Sequence, residues 1–172
     1  MLSLRPYQRE SVEAVYKALR ETDDNPCVEI PTAGGKSCCI AQVSTDAVNL
    51  WNGRVMILAH VRELLEQNAD KIAKLCPGIP VGVYSAGLGR RDTEQSIVVG
   101  GIQSVYDKAE LFGRRDLLIV DEAHLIPSNG EGRYRSFRCC SPGPSRRWDS
   151  TPPSPAASSR RARADTPPST SL

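Results

Sequence analysis

Ile30-Pro31-Thr32-Ala33-Gly34-Gly35-Lys36-Ser37 is the stretch on which the fold turns. A short apolar lead-in, Cys27-Val28-Glu29-Ile30, precedes it, and residues 38–50, able to form a helix, follow. Strand, glycine-bearing turn, helix is the setting in which a chain wraps a phosphate. Two consecutive glycines let the backbone curl so that several N–H groups converge on one anion. The helix behind them adds its positive end. Lys36 can then reach β- and γ-phosphates, and the Ser37 hydroxyl can ligate Mg²⁺. Two patterns compete for the stretch. G-x-x-x-x-G-K-[ST] wants glycine where Ile30 stands, and P-T-G-x-G-K-[ST] wants it where Ala33 stands. The plain alternative is a glycine turn carrying a surface lysine.

Upstream, Pro6 suits the first turn of a helix, and Val12, Val15, Tyr16 and Leu19 follow helical spacing. Residues 27–30 read as the first strand. Downstream, the helix after Lys36 stops near Gly53, and residues 54–59 (R-V-M-I-L-A) read as a buried strand. Leu64, Leu65, Ala69, Ile72 and Leu75 give the next helix its apolar face. Residues 81–84 and 96–99 read as strands, with a polar loop at 89–95 between them. Gly100-Gly101 turns into a helix through Tyr106 and Leu111, and residues 117–120 form the last strand. Strands that are short unbroken apolar runs alternating with helices predict an α/β fold, a parallel sheet with helices on both faces. Ligands of such sheets sit at the carboxyl ends of the strands, where both the glycine loop and Asp121 fall.

The chain of 172 residues is long enough for one domain with a real core. Its net charge of +2 comes from the last 35 residues, so it gives no argument that the folded part binds nucleic acid. Six cysteines without a C-x₂-C pair, and only two histidines, make zinc a poor expectation. The first ten residues lack an apolar signal core, and no run approaches the ~20 apolar residues of a membrane span. A cytoplasmic protein with reduced thiols and no membrane partner is the expectation.

Asp121-Glu122 closes the last strand. A carboxylate at a buried strand end, near a phosphate loop, is how Mg²⁺ is held through its water shell. Its neighbour Glu122 is placed to orient and deprotonate an attacking water. A solvated acidic pair after a core strand is the plain alternative. Cys38-Cys39 reads as packing, Arg90-Arg91 as a solvated loop pair, and Trp51, Tyr84 and Tyr106 as core or edge residues.

With these residues in view, a family resemblance emerges. Val120-Asp121-Glu122-Ala123-His124 looks like the Asp-Glu-Ala-His signature of superfamily two helicases and translocases. Pro31-Thr32-Ala33-Gly34-Gly35-Lys36-Ser37 resembles their first motif, with Ala33 in a usual glycine position. Leu4-Arg5-Pro6-Tyr7-Gln8 is similar to their adenine-reading segment. Leu58-Ala59-His60-Val61-Arg62-Glu63-Leu64 resembles their second, nucleic-acid-contacting motif, and Gly101-Ile102-Gln103-Ser104 their next strand-contacting segment. The branch most resembled is that of restriction-enzyme type III Res subunits.

The resemblance implies a RecA-like P-loop NTPase fold using ATP and Mg²⁺. Gln8 would read the adenine edge with Arg5 beside it. Pro31, Thr32, Ala33, Gly34, Gly35, Lys36 and Ser37 would cradle the phosphates. Ser37 and Asp121 would hold Mg²⁺, and Glu122 would act as base. His124 would couple nucleotide state to the nucleic-acid site. His60, Arg62, Gln103 and Ser104 would touch a phosphodiester backbone, of DNA more than of RNA.

The same resemblance implies a further strand with a Ser/Thr-Ala-Thr motif, then a second RecA-like domain bearing an arginine finger. Neither follows Asp-Glu-Ala-His in this sequence. The expectation is therefore a partial ATP-binding domain over residues 1–137, incomplete at its C-terminal side. Residues 138–172 hold eight Ser, seven Pro and six Arg and no Ile, Val, Phe or Met. Such a stretch cannot bury enough apolar area to order itself, and it reads as a disordered, out-of-frame-like tail. The functional expectation is the ATP-binding half of a DEAH-type motor, hydrolysing ATP once a second RecA-like domain or subunit completes it. The alternative is an inactive truncated fragment that binds nucleotide or nucleic acid.

Overall fold

The computed structural model describes residues 3–22, 25–31, 33–60 and 62–126, without the side chains of residues 62–64. The expected boundary at residue 137 and the tail 138–172 lie outside the described residues. Helix α1 (Pro6–Glu21) opens with proline in its first turn and closes with the Thr22 N–H on the Ala18 carbonyl at 2.9 Å. Helix α2 (Lys36–Asn49) follows the glycine loop. Strand β1 (Val55–Ala59), helix α3 (Arg62–Leu75) and strand β2 (Val81–Ser85) come next. Strand β3 (Arg90–Arg91), strand β4 (Ile97–Gly101), helix α4 (Ile102–Val105) and strand β5 (Leu117–Val120) complete the order.

The strands form one sheet in the order β3-β2-β4-β1-β5, parallel except for β3. All five residues of β1 are buried, as a strand covered on both faces must be. Its side chains alternate between two layers. Val55, Ile57 and Ala59 pack with Ala41, Ala47, Leu65, Ala69 and Ile72 of helices α2 and α3. Met56 and Leu58 pack with Ile102, Val105, Ala109 and Phe112 on the opposite side. Small residues along α2 let it lie close to the sheet. Val12 of α1 then closes over Cys39 and Val43.

Three expectations change. Residues 27–30 do not join the sheet. No described strand lies alongside them, since the sheet ends at β5, and a strand exists only through its pairing. Residues 27–29 are exposed, and only Ile30 packs inward, against the cluster of Val12, Cys39 and Val43.

The loop at 89–95 contains a strand. Asp92 accepts the Val83 N–H through its carboxylate at 2.9 Å and donates its own N–H to the Val83 carbonyl at 3.1 Å. This draws Arg90 and Arg91 onto β2 opposite Ser85 and Tyr84.

Gly100 and Gly101 belong to β4 rather than to a turn. A Cβ at Gly100 would lie 2.6 Å from Met56 Cε and one at Gly101 2.8 Å from Leu65 Cδ1, so the glycines serve close packing on the two faces. The helix that follows is a single turn. A separate 3₁₀ turn, Ala109–Phe112, brings Phe112 beneath the sheet. There the buried Tyr84 and Phe112 rings meet edge to face at 4.9 Å, a favoured aromatic geometry.

At the amino ends of the strands a buried arginine acts as a staple. Arg115 donates to the carbonyls of Phe112, Gln95 and Thr93. Burial, with Arg54 nearby, pushes its guanidinium down to about 10.

Candidate functional site

Because β1, β2, β4 and β5 are parallel, their carboxyl ends share one rim of the sheet. The glycine loop meets this rim in front of α2. Gly35 has φ 80°, a conformation that glycine adopts freely. The residue that departs from the usual pattern, Ala33, has φ 63°. The loop therefore demands a left-handed residue there, and alanine meets that demand at a cost of about 1–2 kcal/mol. Ala33→Gly should recover part of it, up to about 1 kcal/mol after glycine's own entropy cost. A melting temperature that falls on this exchange would contradict the reading.

The loop is held from behind by α1. The Tyr7 hydroxyl donates to the Gly34 carbonyl at 2.8 Å, and Gln8 Nε2 donates to the same oxygen at 3.0 Å. Gln8 is 5% exposed, and its side-chain oxygen accepts the Arg5 N–H at 3.0 Å. Both ends of this amide are thus engaged within the chain, and Arg5 meets it through its backbone. The Gly34 N–H donates to Pro31 at 2.8 Å. At the start of α2 the Cys38 N–H donates to the Gly35 carbonyl at 2.9 Å, and the amides of Lys36 and Ser37 are those that a helix leaves without an internal partner. Ser37 sits half-buried in that first turn. Thr32 lies outside the described residues.

Lys36 crosses from the loop to the end of β5. Its amine hydrogen-bonds to Glu122 Oε1 and lies 3.7 Å from Asp121 Oδ1. The bond to Glu122 raises the lysine above its ordinary value, and the same bond holds the Glu122 carboxyl below the usual carboxylate range. Both side chains are 39% exposed, so water screens the pair. Glu122 has φ 59°, which turns the chain sharply after β5 and lets successive carboxylates face one amine. His124 Nδ1 lies 3.4 Å from the other Glu122 oxygen. Lys36, Asp121, Glu122 and His124 thus come together as one charged group.

Two partners were not evident from the motifs. Asn68 Nδ2 lies 3.5 Å from Asp121 Oδ2. Its signal was present: it shares the apolar face of α3 with Leu65, Ala69 and Ile72, where a polar residue needs a reason. Tyr7 stood beside Gln8 without a role.

The remaining candidates are spread along the rim. His60 follows β1, and its Nδ1 is buried without a hydrogen-bond partner among the described residues. Gln103 is exposed on the first turn of α4. Ser104 Oγ accepts the Ala86 N–H at 3.0 Å, tying the end of β2 to α4. Arg62 opens α3, and its side chain lies outside the description.

A mostly parallel sheet with this charged group at its carboxyl rim, next to a glycine loop and helix, defines an ATP-binding domain of the helicase and translocase class. More narrowly, the chain belongs to the family described as type III restriction enzyme, res subunit, whose pattern matches residues 1–141. It is similar to the DNA 3'-5' translocase XPB2 of Sulfurisphaera tokodaii, 32% identical over 130 residues. It is also similar to the putative ATP-dependent helicase IRC3 of Saccharomyces cerevisiae, 24% identical over 142 residues. These matches cover 75% and 78% of this chain but only 27% and 20% of the relatives, so it spans about a quarter or less of their length.

Among solved structures, the UvsW helicase from Bacteriophage T4 superposes with a TM-score of 0.63 at 19% identity, over 79% of this chain and 48% of that one. S. cerevisiae Dbp5 bound to RNA and ADP BeF3 superposes with a TM-score of 0.56 at 16% identity, over 84% of this chain and 43% of that one. These likenesses concern the fold. Among the described residues, no helix is long and apolar enough to cross a membrane.

Proposed function

We propose that the chain is the ATP-binding half of a DEAH-type nucleic-acid motor. It binds Mg²⁺–ATP and DNA, and hydrolyses ATP when a second RecA-like domain completes the cleft. The observation that carries this is the Lys36 amine held between the loop and the two carboxylates that end β5.

The donor set suits Mg²⁺. A carboxylate and a hydroxyl, Asp121 and Ser37, are hard oxygen ligands. Among the described residues no group of three or more His, Cys, Asp or Glu gathers into a protein-only cage. Mg²⁺ ordinarily takes one or two protein ligands and completes its shell with phosphate and water. When bound, it would neutralise charge developing on the phosphates.

The chain's own groups do the rest. Pro31, Thr32, Ala33, Gly34, Gly35 and Lys36 shape the phosphate cradle, with Tyr7 and Gln8 bracing it. Arg5 and Gln8 are the residues assigned to the adenine, which would have to displace the bonds that Gln8 makes to the Gly34 carbonyl and the Arg5 N–H. Arriving phosphates compete with Glu122 for Lys36. Once Lys36 turns to them, Glu122 loses the bond that depresses its basicity and becomes a better base for water. His124, already against Glu122, is assigned the coupling to nucleic acid. His60, Arg62, Gln103 and Ser104 are assigned to the phosphodiester backbone, supported by the position of the described ones along one rim.

The test is direct binding. Lys36→Ala should weaken Mg²⁺–ATP binding well over tenfold in calorimetry, the loss of a charged hydrogen bond worth about 1.5–3 kcal/mol. Unchanged affinity would place the nucleotide elsewhere.

A further inference from the structure

Arg90 and Arg91 are absorbed by no role assigned so far. Their strand, β3, pairs antiparallel with the end of β2, with Arg91 opposite Tyr84 and Arg90 opposite Ser85. This puts both at the carboxyl rim of the sheet. There the Ala86 N–H joins Ser104 of α4, and Gln103 is the exposed neighbour.

The two arginines differ. Arg90 is matched by Asp92, at 2.7 Å. The guanidinium carbon of Arg91 lies 5.5 Å from the Tyr84 ring centroid, and its Nη1 donates to the Tyr84 hydroxyl at 3.2 Å. Tyr84 is itself 3% exposed and wedged on Phe112. Among the described residues, no carboxylate lies within ion-pair distance of Arg91. Lys108 is close enough to feel both Tyr84 and Arg91, and its own counter-ion is Asp107, at 2.8 Å.

We propose that Arg91, with Arg90 and Lys108 flanking it, binds the phosphodiester backbone of single-stranded nucleic acid, extending the rim beyond Gln103 and Ser104. The inference rests on the nucleic-acid reading above and adds a contact to it. A guanidinium fixed on a buried ring has little freedom left to lose on binding, and its planar fork suits a phosphate. Among the described residues its charge is uncompensated, whereas its two cationic neighbours are each paired. Charge on an edge strand also discourages pairing with another chain. That task needs no buried ring behind the side chain, and Arg90 alone would meet it.

Fluorescence anisotropy with a labelled oligothymidylate, repeated over a series of KCl concentrations, tests the assignment on the full chain. Arg91→Ala should weaken binding roughly tenfold, as loss of a charged hydrogen bond does. It should also make log K against log salt shallower by about 0.7, one phosphate contact on a single strand. Arg91→Lys should retain most of the slope, and Arg91→Glu should weaken binding further. A circular dichroism melt matching wild type shows that the fold survives.

Unchanged affinity and slope in Arg91→Ala, with Gln103→Ala still weakened, would overturn the contact while leaving the nucleic-acid reading intact. No binding by wild type at low salt would overturn both. Competition by polyglutamate at strength equal to unlabelled oligonucleotide would assign the patch to an acidic protein instead.

Discussion

Glu122→Gln should lower ATP turnover by about 10²–10⁴-fold, the usual contribution of a positioned general base, while nucleotide binding persists. The amide keeps the size and shape of the carboxylate, so the left-handed turn at Glu122 has no new reason to move. What disappears is the ability to accept a proton from water. Binding should hold or tighten, because Lys36 would no longer be engaged by an anionic partner before phosphate arrives. Asp121→Ala should behave differently. It removes a proposed metal ligand, so Mg²⁺-dependent binding itself should weaken. Steady-state hydrolysis with saturating single-stranded DNA, measured with the chain joined to a second RecA-like domain, and calorimetry on the chain itself with and without Mg²⁺, separate the two. Wild-type turnover in Glu122→Gln would show that another group acts on water.

Phe112→Ala should destabilise the fold by about 3–5 kcal/mol. The ring is 1% exposed and is the largest fully buried side chain among the described residues. The face it fills is thin, because α4 is a single turn and the Ala109–Phe112 turn supplies the rest of the cover. Helices α2 and α3 lie across the sheet and cannot close the void. The loss should appear as a lower urea midpoint with little change in slope. A loss under about 1 kcal/mol would mean that Val105, Met56 and Leu118 collapse into the space. Because Tyr84 rests on Phe112, the same substitution should also loosen Arg91.

Much of the fold could be read from the chain because its signals were local. The fully apolar run of β1, the helical spacing of α1 and α3, and the four residues of β5 each announce an element without reference to a neighbour. Residues 27–30 misled because strand propensity says nothing about whether a partner strand lies alongside. Arg90 and Arg91 misled in the opposite direction. Nothing about two arginines announces a strand, and the pairing is imposed by Asp92 gripping Val83. In the site, the spacing of Lys36, Asp121 and Glu122 already suggested a meeting point. The motif could not show that Lys36 and Glu122 pair, nor that Gln8 turns towards the Gly34 carbonyl. The Ala33 departure proved informative, since its positive φ shows why glycine suits that position.

The two edge strands of the sheet are unequal. One, β3, carries two arginines. The other, β5, offers Leu117, Leu118, Ile119 and Val120, half-buried, without a charge, a proline or a bulge, and with no described strand beyond them. Such an edge is a template on which another copy can add a strand. Where no other segment covers that edge, self-association should depend on concentration and be seeded at β5 rather than at β3. The same strand ends on Asp121, so copies zipped together there would crowd the carboxylates that meet Lys36. Solubility and chemistry share one short strand, and a lysine introduced on its outer side to keep copies apart would also alter the field at the site.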